Sequence, residues 1–141
     1  MSMWFNAARL SAASFEAIRK EPRLVEALFF DSKLAKPADF DAERDVFGAD
    51  YRLIGEMIEA MEESGIEEVA EDAGLVRHAL GEEEEGSPIA YDFCYGPGFA
   101  MTPDEVKAVS KRIGKDDEGF GIGPFFAAAA KAGQGIIGGV S

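Results

Sequence analysis

The chain of 141 residues is 47% hydrophobic, contains 11 Phe and carries a formal net charge of −13. This length and apolar content suffice for one packed domain, residues 1–141, and differ from the composition of an intrinsically disordered protein. Because Cys94 and His78 are the only members of their kinds, an internal disulfide and a Cys/His zinc site are both excluded.

The negative charge is concentrated in one stretch, residues 56–85, which we call the acidic segment. It contains twelve acidic residues and one Arg, so it carries −11 of the total. Phosphate backbones are bound by Lys and Arg, so nucleic acid is not expected as a partner, whereas a field of this sign can attract a basic protein or a cation. The alternative is a solvated helix face whose charge only maintains solubility.

The beginning of the chain does not resemble a secretion signal. MSMWFNAARLSAASF lacks a basic region followed by a sustained apolar one. No apolar run of the sequence approaches the roughly 18 residues that a membrane-spanning helix needs. We therefore expect a cytoplasmic protein with no membrane partner.

The first half of the chain predicts one strand followed by helices. Apolar residues on both faces predict a strand over Trp4–Leu10, and Ser11 is the expected N-cap of a helix that ends before Pro22. Pro22 suits the first turn of a second helix, 22–30. A stripe at helical spacing predicts a central helix that ends at Gly65, with shorter helical pieces after it; the stripe consists of Leu53, Ile54, Met57, Ile58 and Met61.

The second half predicts a strand, a turn, two helices and a final strand. Alternating aromatic residues indicate a strand over 89–95, and the Gly96-Pro97-Gly98 sequence is expected to form a turn after it. Thr102 and Glu105 have the spacing of a capping box for a helix that ends at Gly114. A short helix over 125–133 and a strand over 135–140 follow. The expected fold is a single compact α+β domain, with a small mixed or antiparallel sheet that includes both terminal strands and packs with several helices.

Several segments resemble a known family. YGPGFAMTPDEV, residues 95–106, resembles the Tyr-Gly-Pro and Thr-Pro-Glu-Glu-Val sequences of the YfbM-like family of bacterial proteins, a domain of unknown function. The opening MSMWFNAARLSAASFEAI, the EPRLVEALFF helix and the closing FFAAAAKAGQGIIGGV are also similar to that family. The resemblance implies a compact α+β fold and no established activity.

The middle of the chain departs from the family pattern. Members usually carry an Asp-x-Asp-Lys-x-Trp-His sequence before the central helix, whereas DFDAERDVFGADYRLIG has Asp39 and Asp41 but neither the Trp nor the His. An aromatic and proline-containing segment expected before the last helix is replaced by GKDDEGFGIGP. The chain is therefore expected to be a divergent, shortened member, and no residue role carries over through its middle.

Three motifs imitate functional signatures without their context. GQGIIG, residues 133–138, matches a dinucleotide-binding fingerprint, but a helix is predicted before it and no helix after it. DFDAERD, residues 39–45, spaces acids like a calcium loop but lacks its turn glycine, so an acidic helix start is favoured. Nothing brings Cys94 near His78 for thiol chemistry. No catalytic residue, metal site or cofactor is predicted.

Two functional hypotheses remain, besides a plain structural or housekeeping domain whose acidity serves only solubility. The first is a non-catalytic module that binds a basic protein, such as a toxin that it neutralises, through Glu59, Glu62, Glu63, Glu67, Glu82 and Glu83. The second is an enzyme or small-ligand binder that uses a cleft at Asp92, Tyr95, Gly96, Pro97 and Gly98. The sequence does not indicate the oligomeric state.

Overall fold

The computed structural model describes residues 3–30, 33–53, 56, 88–93, 96–113 and 121–141. Within these residues the strands are β1 (Trp4–Leu10), β2 (Val46–Asp50), β3 (Pro88–Phe93), β4 (Gly96–Met101) and β5 (Gly135–Val140). The helices are α1 (Ala12–Lys20), a 3₁₀ turn (Pro22–Leu24) that leads into α2 (Val25–Phe29), α3 (Pro103–Ile113) and α4 (Ile122–Lys131).

The five strands form one antiparallel sheet in the order β2-β1-β5-β4-β3. The first and last strands pair at its centre, with Phe5 opposite Val140 and Leu10 opposite Gly135. This confirms the α+β fold and the pairing of the terminal strands. Strands β2 and β3 lie at opposite edges of the sheet, although they follow one another along the described chain.

Helices cover both faces of the sheet. One face packs against α3 and α4, where Phe5 and Met101 of the sheet meet Val109 and Phe126 of the helices. The other face packs against α1 and α2, with Leu10 as a contributor from the sheet. The helix residues on this second face are Phe15, Ile18, Val25 and Leu28. The alternation of side chains along each strand thus supplies two separate hydrophobic clusters.

The glycines of β5 make room for phenylalanine rings. A Cβ at Gly135 would lie 2.6 Å from Cδ2 of Phe15, and a Cβ at Gly139 would collide with the ring of Phe93. The GQGIIG motif thus joins α4 to β5: Gly135 and Gly138 permit close packing, as predicted for an end strand, whereas Gly133 has a positive φ of 66° and no close neighbour.

Both helix starts predicted from capping residues are confirmed. The Ser14 N–H donates to Ser11 Oγ at 3.3 Å at the start of α1. At the start of α3 the Thr102 N–H donates to Glu105 Oε1 at 3.0 Å, and the Glu105 N–H donates to Thr102 Oγ1 at 3.3 Å. These are the two reciprocal bonds of a capping box.

Two strand assignments correct the sequence prediction. The acidic stretch 39–45 does not begin a helix but turns into β2, which pairs with β1. Gly96, Pro97 and Gly98 belong to strand β4 rather than to a turn. Both strands contain glycine, which lowers strand propensity, and tertiary pairing with a neighbouring strand compensates for it.

The predicted central helix is described only at its beginning, where residues 51–53 and 56 are helical. The remainder of that prediction and the shorter helical pieces after it lie outside the described residues. Among the helices that are described, none has the length and apolar character needed to cross a membrane.

Candidate functional site

The predicted ligand site at the β3–β4 hairpin is only partly within the described residues. Asp92 is exposed on the edge strand β3, opposite Pro97, and a bulge shifts the register between Ile89 and Asp92. Gly98 is buried, because Ile89 Cγ2 and Phe93 Cε2 lie 2.6 and 3.0 Å from the position of a Cβ there. Gly96 pairs with Phe93. Tyr95 lies outside the described residues, so the hypothesis of a cleft here stays a prediction.

The predicted partner-binding glutamates, from Glu59 to Glu83, also lie outside the described residues. The described strands nevertheless show where the connection that carries these glutamates begins and ends. This connection leaves the sheet after β2 at one edge and rejoins it at β3 at the other edge. With strands roughly 4.8 Å apart, those two edges are separated by about 19 Å.

A carboxylate that the sequence did not single out is the most buried charged group of the described chain. Asp45, immediately before β2, is 1% exposed and is surrounded by two arginines. Its Oδ1 lies 2.9 Å from Arg44 Nε and 3.2 Å from Arg9 Nε, and its Oδ2 accepts from Arg44 Nη2 at 2.9 Å. The Asp41 N–H donates to the same Oδ2 at 2.9 Å.

The backbone around Asp45 closes this cluster. The Asp45 N–H donates to Asp41 O at 2.7 Å, and the Arg9 N–H on β1 donates to Asp45 O at 2.9 Å. Arg9 also donates from Nη1 to Gln134 Oε1 at 3.3 Å, which ties the cluster to the residue before β5. The cluster therefore joins the ends of three strands through satisfied hydrogen bonds, an arrangement typical of a structural role.

Electrostatics keep Asp45 ionised. The hydrogen bond from Arg44, the backbone N–H of Asp41 and the positive charges of Arg44 and Arg9 together hold the pKa of Asp45 below its usual range. Burial acts in the opposite direction, because it disfavours the charged form. The arginines outweigh burial, so the buried Asp45 carboxylate stays charged beside Arg9 and the largely exposed Arg44.

A second carboxylate, Asp39, lies beside the start of α1. Ser14 Oγ donates to Asp39 Oδ1 at 3.1 Å. Hydrogen bonds from the hydroxyls of Ser11 and Ser14, in that order of importance, hold the pKa of Asp39 below its usual range. Unlike Asp45, the Asp39 residue is exposed. Its charge complements the partial positive charge of the helix N-terminus.

Asp39 borders an open cleft of about 470 Å³ between α1 and residues 35–39. The volume is within the usual range of small-molecule sites. Its wall is mostly apolar, with Ser11, Ser14, Lys36 and Asp39 as the polar contributors. The apolar residues that line it are Ala13, Ala17, Ile18, Leu24, Ala35, Pro37 and Ala38.

The three aspartates of the calcium-like motif point to different partners. Asp39 bonds to Ser14, Asp41 Oδ1 accepts the Glu43 N–H of its own turn at 2.9 Å, and Asp45 pairs with arginines. Among the described residues, no group of three or more His, Cys, Asp and Glu side chains is arranged to hold a metal ion. The spacing of the motif did not reveal that each of its three aspartates has a separate structural partner.

Comparisons with known proteins add no relative. A scan against protein-family models, a search of curated proteins and a search of solved structures each found no match. Membership of the YfbM-like family, inferred above from local sequence similarity, therefore stays a prediction.

Proposed function

We propose that this protein is a non-catalytic binding module that associates with a basic protein through the acidic segment. The observation that carries the proposal is the distribution of charge. The acidic segment holds −11 of the net −13, which leaves −2 for the other 111 residues. A field concentrated in this way attracts a cationic surface and accelerates association with it.

The pairing of charges elsewhere in the chain supports this proposal. Asp45 is bonded to Arg9 and Arg44, and Asp50 Oδ2 lies 2.9 Å from Arg52 Nη2. These acids are largely neutralised by arginines of the same chain. The acidic segment contains a single Arg for its twelve acids, so pairs within the segment leave most of its charge uncompensated.

The position of the acidic segment in the chain is a second support. It belongs to the connection between β2 and β3, which begins and ends at opposite edges of the sheet. Both attachment points are therefore parts of one hydrogen-bonded sheet. Holding the ends of a charged segment on such a scaffold lowers the entropy that the segment loses when it binds a partner.

Co-purification from the native cells tests the proposal. We expect the full chain to recover a basic protein at low salt and to lose it at high salt, because interactions between exposed charges are screened. The test variant replaces Glu59, Glu62, Glu63 and Glu67 with Gln. The matched control removes the same amount of charge from described, exposed acids, through Glu26→Gln, Glu43→Gln, Asp92→Asn and Asp104→Asn.

The two variants separate the proposal from its alternatives. Recovery lost in the test variant and retained in the matched control supports binding through the acidic segment. Equal loss in both variants indicates a general effect of net charge and contradicts the proposal. Recovery of no partner by the unmodified chain also contradicts it, and supports a charge that serves solubility alone.

A further inference from the structure

The cleft between α1 and residues 35–39 has features that the acidic segment does not explain. Its wall is largely apolar, yet one edge carries the carboxylate of Asp39. A concave apolar wall with a few fixed polar groups is the usual composition of a small-molecule site. The cleft lies on the α1–α2 side of the sheet, since Ile18 contributes both to the cleft and to the cluster on that face.

The position of Asp39 is fixed before any ligand arrives. Ser14 Oγ donates to its Oδ1 at 3.1 Å, and Ser14 is itself held by the bond from its N–H to Ser11 Oγ at 3.3 Å. A carboxylate accepts about four hydrogen bonds, so the bond from Ser14 leaves capacity for a further donor.

From this geometry we propose that the cleft binds a small amphipathic monocation, with a primary ammonium or amidinium group at Asp39 and an apolar stem between α1 and residues 35–39. The charge of Asp39 selects a cationic head group. The methyl groups of Ala13 and Ala17 and the ring of Pro37 suit an apolar stem. Lys36 also lines the cleft, so a second positive charge on the ligand would be repelled.

The helix N-terminus does not make this an anion site. Its first turn contains no acidic residue of its own, and Asp39 supplies the negative charge that the helix dipole favours. An incoming anion would have to approach that carboxylate. The lining carries one ammonium group and one carboxylate, Lys36 and Asp39, so the preference for an amine over phosphate depends on the carboxylate that lies beside the start of α1.

Binding of phenethylammonium to the full chain tests the proposal, with 2-phenylethanol as the neutral isostere and 3-phenylpropanoate as the anion. Amide chemical shifts in NMR report both affinity and location. We expect the cation to shift the amides of Ala13, Ala17 and Asp39 with a Kd on the order of millimolar. The neutral probe should bind about fivefold more weakly, because an exposed ion pair contributes little more than that.

Two variants separate the head group from the stem. Asp39→Asn should weaken binding of the cation about fivefold and leave binding of the neutral probe unchanged. Ala17→Leu keeps Asp39 and preserves helix propensity, but the larger side chain fills part of the cleft. It should therefore weaken the binding of both probes. The matched control is Asp104→Asn, which removes an exposed acid on α3, against the opposite face of the sheet, and should change the binding of neither probe.

The proposal is overturned if the cation and the neutral probe bind equally, or if Asp39→Asn has no more effect on binding than Asp104→Asn. Undiminished binding of both probes to Ala17→Leu would also overturn the proposal. This variant keeps residues 35–39 unchanged, so it remains informative if Asp39→Asn disturbs that stretch. None of these results depends on the basic partner, so the two proposals can fail separately.

Discussion

The acids of the described sheet and helices differ from those of the acidic segment in what neutralises them. Asp45 is buried between Arg9 and Arg44, and Asp50 lies beside Arg52. Residues 56–85 instead carry twelve acids with one Arg. The comparison teaches that the net charge of −13 is not spread over the molecule. Most of it, −11, belongs to the connection between the edge strands β2 and β3, while Asp45 and Asp50 are paired with arginines.

The largest expected effect is the loss of the buried ion pair. We expect Asp45→Asn to lower the free energy of unfolding by about 3 kcal/mol, because it leaves Arg9 without its carboxylate partner. Chemical denaturation of the full chain measures this. Glu62→Gln in the acidic segment serves as control and should change stability by less than about 0.5 kcal/mol. Equal effects of the two substitutions would show that acids of the fold and of the acidic segment do not differ in their contribution to stability.

Lowering the pH should reduce the stability that the Asp45 carboxylate contributes. The pKa of Asp45 is lowered in the fold, so its contribution is fully present above the pKa of the unfolded chain and is lost as the pH falls through the folded value. We expect the unmodified chain to lose stability below about pH 4, where unfolded aspartates take up protons. Denaturation midpoints measured from pH 7 down to pH 3 should fall less steeply in Asp45→Asn. If the midpoints of the two proteins fall in parallel as the pH decreases, Asp45 does not account for the loss of stability in acid.

The capping box of α3 should have an intermediate effect. Thr102→Ala removes the hydroxyl that accepts the Glu105 N–H, and we expect it to cost about 1 kcal/mol. Glu105→Gln is the matched control, because Gln can also accept the Thr102 N–H and should change stability much less. Thermal unfolding followed by circular dichroism distinguishes them. A Glu105→Gln effect as large as that of Thr102→Ala would mean that the charge, rather than the box, stabilises the helix.

An exposed ion pair should have the smallest effect. Arg23 Nε lies 2.6 Å from Glu21 Oε1, but both side chains are at least half exposed, at 68% and 50%. We expect Glu21→Gln to change the free energy of unfolding by less than about 0.5 kcal/mol. The same denaturation series used for Asp45→Asn checks this value. A loss of stability comparable to that of Asp45→Asn would show that burial does not determine how much each carboxylate contributes to the free energy of unfolding.

Local sequence signals predicted much of the fold. The capping residues Ser11, Thr102 and Glu105 form their bonds within three residues along the chain, so their spacing alone located the starts of α1 and α3. Apolar residues on both faces predicted β1, and a strand was also predicted over 135–140, the residues of β5. With strands at both ends of the chain, the α+β pattern predicted that one sheet includes both of them.

Long-range contacts account for what the sequence did not predict. Strand β2 contains Gly48, and its assignment depends on pairing with β1 about forty residues earlier. The ion pair between Arg9 and Asp45 joins equally distant positions. The cleft likewise requires α1 to meet residues 35–39. No local spacing encodes such contacts, so the acids of residues 39–45 resembled a helix start or a cation loop.

The affinity of the protein for its recovered basic partner tests the central claim most directly. Calorimetric titration at increasing salt should show weaker binding at each step, because screening reduces the attraction of exposed charges. The variant with Gln at Glu59, Glu62, Glu63 and Glu67 should bind at least about tenfold more weakly than the matched control, a difference of about 1.4 kcal/mol. Salt-independent binding, or equal affinities of the two variants, would contradict the assignment of partner binding to the acidic segment.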